Sequence, residues 1–103
     1  MVEVREKKER KTHLLTARET SEKLVEAYFA KEGVKLAVRF QTDDCVRFLY
    51  KKNTKHPSAE MCCFNDGRID CSLCADDSTT TFSVNLTMGD LDDMVKRVKE
   101  YVS

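Results

Sequence analysis

Four of the five cysteines in this 103-residue chain fall between Glu60 and Cys74. Cys71-Ser72-Leu73-Cys74 has the spacing with which thiolates close on zinc, and Cys62 and Cys63 can supply the other two ligands of a tetrahedral site. The same stretch also reads as a β-hairpin. Asn65-Asp66-Gly67 is turn chemistry between two runs that alternate in polarity. With Asp66-Gly67 as a two-residue loop, Asn65 pairs with Arg68, Phe64 with Ile69 and Cys62 with Cys71. Phe64, Cys62, Ile69, Cys71 and Leu73 then share the core face, while Cys63 and Cys74 point the other way. Ligands on opposite faces of a pleat cannot converge on one ion, so structural thiols are expected, and no metal or other cofactor. A CxxC outside a strand-to-helix turn also lacks the helix dipole that acidifies a redox thiol.

The other reactive residue types form no catalytic arrangement. His13 and His56 are the only histidines, and both sit in strongly polar segments. Cys45 follows Asp43 and Asp44, whose negative charge opposes thiolate formation. Asp43-Asp44 and Asp76-Asp77 are adjacent aspartates at turn positions, where their side chains bond the local backbone. Asp90, Asp92 and Asp93 fit the first turns of a helix. There is no calcium loop, glycine-rich phosphate loop or G-x-S-x-G elbow. The expectation is a protein that is not an enzyme and has no small-molecule substrate.

The elements that would position these residues follow from periodicity. Leu24, Val25, Tyr28 and Phe29 recur at helical spacing after a cap at Thr20 or Ser21, and Gly33 ends that helix. Leu36, Val38 and Phe40 then alternate with polar or small neighbours, as do Val46, Phe48 and Tyr50 in a second strand. Residues 59–64 and 68–75 form the cysteine-bearing hairpin, and Phe82, Val84 and Leu86 mark a fifth strand. Thr87-Met88-Gly89-Asp90 has capping-box spacing before a helix with Leu91, Met94, Val95, Val98, Tyr101 and Val102 on one face. The predicted order is α-β-β-β-β-β-α. This is a two-layer α+β domain over residues 13–103, an antiparallel sheet of about five strands with an N-terminal and a C-terminal helix. Residues 1–12 are nearly all charged and read as a disordered tail.

Composition narrows the function classes. Apolar residues make up 41% and charged residues 35% of the chain, and 18 acidic residues cancel 18 basic ones. Zero net charge removes the simplest electrostatic argument for nucleic-acid binding. No apolar run is long enough for a membrane span and the start lacks a signal-peptide core, so a reducing cytoplasmic or nuclear compartment is expected, with no membrane partner.

Two surfaces remain as candidates. Arg39, Arg47, Lys51, Lys52 and Lys55 form a basic stripe and loop able to meet phosphate, although this face lacks a pair of exposed aromatics for base stacking. Leu49, Met61 and Cys63 point away from the inferred core and compose a partly apolar outer face suited to a protein partner or to self-association. Val46-Arg47-Phe48-Leu49-Tyr50-Lys51-Lys52, the Asp66-Gly67 hairpin and the capped C-terminal helix together resemble the small Alu-domain proteins of the signal recognition particle. That resemblance implies a sheet that dimerises and binds RNA on its curved surface, here with extra strands and fewer basic residues. The leading expectation is a non-catalytic interaction or adaptor subunit using a sheet face or edge. RNA binding within a ribonucleoprotein is the alternative.

Overall fold

Thr16-Ala17-Arg18-Glu19 is a complete capping box, and it starts the first helix earlier than the apolar stripe alone suggests. Thr16 Oγ1 accepts from Glu19 N–H at 3.1 Å, and the Glu19 carboxylate accepts from Thr16 N–H at 2.9 Å. The computed structural model describes residues 15–52 and 57–103. In it α1 spans Ala17–Ala30, β1 Ala37–Gln41, β2 Cys45–Lys51, β3 Ser58–Phe64, β4 Ile69–Cys74, β5 Thr79–Val84 and α2 Met88–Val102. The α-β-β-β-β-β-α order is therefore as expected. The charged segment 1–12, His13, Lys55 and His56 lie outside the described residues.

The strands form one antiparallel meander in the order β1-β2-β3-β4-β5. Val25 and Phe29 of α1, with Leu91, Met94, Val95, Val98 and Val102 of α2, join a single core with Val46, Phe48, Met61, Cys63, Ile69, Cys71 and Val84. All these strand residues share one pleat face, so both helices cover the same side of the sheet. Each large apolar side chain taken from water there contributes roughly 1.5–3 kcal/mol. At the end of α1, Gly33 has φ +74°, and Val34 N–H bonds Phe29 O at 3.0 Å, which closes the helix and turns the chain into β1. Thr87 Oγ1 caps α2 by accepting from Asp90 N–H at 3.1 Å. The Asp90 carboxylate bonds Asn85 rather than completing a capping box.

Two registers differ from expectation. The β3–β4 loop holds three residues, not two. Phe64 pairs with Arg68, and Gly67 at φ +92° supplies the left-handed position of a bulged turn. Met61 consequently faces Cys71, Cys62 faces Asp70 and Cys63 faces Ile69. The single extra residue inverts the faces of β3 while leaving β4 as expected. Met61 and Cys63 are fully buried under the helices, which removes both from the outer face, whereas Cys62 and Phe64 turn outward. In β1 a bulge between Val38 and Phe40 keeps Val38 opposite Phe48 but swings Phe40 to the outer side opposite Arg47. The fifth strand also begins earlier than expected, at Thr79, and Leu86 lies beyond it, 46% exposed.

Candidate functional site

Because α1 and α2 cover one face, the other face of the sheet has no layer over it among the described residues. Across β1, β2 and β3 it carries Ala37, Phe40, Cys45, Arg47, Leu49, Glu60, Cys62 and Phe64. Phe40 is 41% exposed, and Leu49 and Phe64 are half-buried. Across β4 and β5 the same face turns polar: Ser72 and Thr81 share a hydroxyl hydrogen bond of 2.9 Å, and Ser83 Oγ donates to Asp70 at 3.3 Å. The face thus has an aromatic and aliphatic half beside a half of hydroxyls and one carboxylate.

Arg47 organises the apolar half. Its guanidinium donates to Glu60 at 3.0 Å, lies 5.1 Å from the Phe40 ring centroid and reaches Cys62 Sγ at 3.9 Å. The Glu60 hydrogen bond raises its pKa, against a smaller opposing effect of burial. Arg68 stacks over Phe64 at 4.2 Å. Two aromatic rings, each with an arginine over it, therefore stand on a face expected to lack exposed aromatics. The β1 bulge and the one-residue shift in β3 put them there. The literal three-residue Asn-Asp-Gly loop was the signal available for the second.

The other basic candidates are more dispersed. Lys51 and Lys52 are exposed at the end of β2. Arg39 sits at the β1 bulge. Arg47 spends its charge on Glu60, so the stripe is weaker for phosphate than its sequence suggests.

The thiols do not form a metal cage. Cys63 and Cys71 lie on the helix side, Cys62 and Cys74 on the open side, so the four candidate ligands are divided between faces. Among the described residues no group of three or more His, Cys, Asp or Glu side chains is placed to hold a metal. All five cysteines are unpaired. Burial pushes the thiols of Cys63 and Cys71 up to about 12. Burial and the adjacent Cys45 push Cys62 to about 11, with Arg47 opposing. Such thiols stay protonated at neutral pH and make poor nucleophiles.

Clefts lie beside the helices. One of about 360 Å³ runs between the helices, lined by Tyr28, Asp92, Val95 and Lys96, with the Lys99–Glu32 ion pair (3.2 Å) at its edge. A smaller cleft of about 140 Å³ separates β5 from α2. No helix among the described residues is long and apolar enough to cross a membrane. No family model matches the chain, and no curated protein or solved structure matches it.

Proposed function

We propose that this chain is a non-catalytic interaction subunit that docks a protein partner on the open face of its sheet. The observation that carries the reading is the uncovered aromatic and aliphatic patch of Phe40, Leu49 and Phe64, bordered by Arg47 and by the Ser72–Thr81 and Asp70–Ser83 pairs. An apolar centre with an arginine and a polar margin is the usual anatomy of a protein interface. A five-stranded face also offers a rigid platform, since its side chains are held by the ladder rather than by loops.

The test compares wild type with Leu49→Asp, a change at a half-exposed site. Copurification from native extract, followed by sedimentation of the purified protein, should show a partner or a dimer that the variant loses while its melting temperature stays near wild type. If every association survives Leu49→Asp and a second variant, Phe40→Ser, the open face is not the docking surface.

One observation favours RNA as a second reading: Phe40 with Arg47 and Phe64 with Arg68 place two ring-and-guanidinium pairs on an open sheet, and each stacked base is worth roughly 1–3 kcal/mol. Under that reading affinity falls steeply with salt and drops in Lys51→Glu/Lys52→Glu. Undetectable binding to structured RNA at low salt eliminates it.

A further inference from the structure

We propose that the cleft between β5 and α2 is a peptide groove. In it an extended segment of a partner adds a sixth strand antiparallel to β5, presenting a basic side chain and, two residues later, an acidic one. This surface is the edge and helix side of the sheet, so the inference does not depend on docking at the open face.

The two edges of the sheet are unlike each other. β1 is interrupted by its bulge and carries Arg39 there, and both features discourage pairing with another strand. β5, Thr79-Thr80-Thr81-Phe82-Ser83-Val84, has no charge, no proline and no bulge, and it stays in register with β4 from Cys74↔Thr79 to Ile69↔Val84. The bond from Ala75 N–H to Ser78 O at 2.8 Å sets the phase of this hairpin. By antiparallel alternation, Thr80, Phe82 and Val84 then exchange bonds with β4. Thr79, Thr81 and Ser83 turn their N–H and C=O groups to the open edge. Those groups are a template for a further strand.

The cleft beside that edge supplies selectivity. Phe82, Val84 and Met94 line its apolar part, and Asp90, Asp93 and Arg97 its polar part. α2 runs back along β5: Asp90 bonds Asn85 just past the strand's end, and Arg97 lies 3.7 Å over the Phe82 ring. Asp93 and Arg97 are therefore stacked one helical turn apart, about 6 Å along the axis. Alternate side chains of a strand are about 6.6 Å apart. A strand added to β5 thus matches that spacing, one side chain opposite Asp93 and the next on the same face opposite Arg97. Antiparallel addition makes the first basic and the second acidic. The cleft volume of about 140 Å³ suits side chains of an extended segment rather than a folded surface.

The test uses a fluorescein-labelled heptapeptide, Thr-Val-Lys-Val-Glu-Val-Thr, and its charge-reversed counterpart, Thr-Val-Glu-Val-Lys-Val-Thr. Anisotropy should show the first binding about tenfold more tightly than the second, the scale of a matched against a mismatched charge pair. Amide resonances of Thr79, Thr81 and Ser83 should shift on binding. Asp93→Lys/Arg97→Glu should invert the preference. Thr81→Pro removes an outward N–H without breaking the ladder to β4, so binding is lost, whereas Thr81→Val retains it. Equal affinity for the two peptides, binding to neither, or binding that survives Thr81→Pro overturns the groove. The charge swap decides alone should the proline variant fail to fold.

Discussion

At Gly67 one backbone angle sets the faces of a whole strand. Its φ of +92° completes the three-residue loop, and a Cβ there would meet Ala17 Cβ at 3.2 Å. Ser21, fully buried on α1, donates to Gly67 O at 2.5 Å and ties the helix to this turn. Gly67→Ala is therefore expected to lose about 1–2 kcal/mol in urea unfolding, from the left-handed conformation together with the contact. Ser21→Ala should cost about 1–3 kcal/mol, the penalty for leaving a buried carbonyl without a donor, read from the same transition midpoint. The turn was legible in Asn65-Asp66-Gly67, but its length was not. A glycine after Asp serves a two-residue loop or a bulged three-residue one, and the choice rests on the contact with α1.

Among the elements, β4, β2 and α2 follow their sequence pattern closely, whereas α1 is capped at Thr16 and takes the expected caps Thr20 and Ser21 into the helix. Ile69, Cys71 and Leu73 alternate inward as their polarity suggests, and Leu91, Met94, Val95 and Val98 line one face of α2. β3 is different because Ala59, Met61, Cys62, Cys63 and Phe64 are nearly all apolar, so either face can be buried and local pattern has no preference. Its register comes from neighbours: Val46↔Cys63 and Phe48↔Met61 stack apolar side chains into one layer. A pair of substitutions measures this assignment. Met61→Ala should cost about 2–5 kcal/mol as a core truncation, while Leu49→Ala on the open face should cost about 1 kcal/mol or less. Near-equal values in chemical denaturation would contradict the stated register.

For the molecule as a whole, the buried thiols couple stability to alkaline pH. Cys63 and Cys71 have folded pKa values of about 12 against about 8.5 for an unfolded thiol. Below pH 8.5 both states hold the proton and stability is unaffected. Above it the unfolded chain releases protons that the folded chain retains, so stability falls toward pH 12 at up to about 1.4 kcal/mol per pH unit per thiol. Melting curves across pH 8–11 should show this decline, and Cys63→Ala should flatten it relative to its own value at pH 8. A slope unchanged in that variant would show that Cys63 is not buried as described.

The sequence by itself determined the order of elements, the two amphipathic helices and the antiparallel meander. Each of these follows from short-range periodicity, capping residues and turn chemistry. Only the tertiary structure decided which cysteines are buried, where Phe40 and Phe64 point, and that Arg47 is held by Glu60. A bulge or a single added loop residue reverses the faces of a strand at almost no local cost, so these outcomes are chosen by packing against distant partners. The Glu60–Cys74 segment thus carries thiols on both sides of the sheet, and the open face and the β5 edge are the surfaces we propose for function.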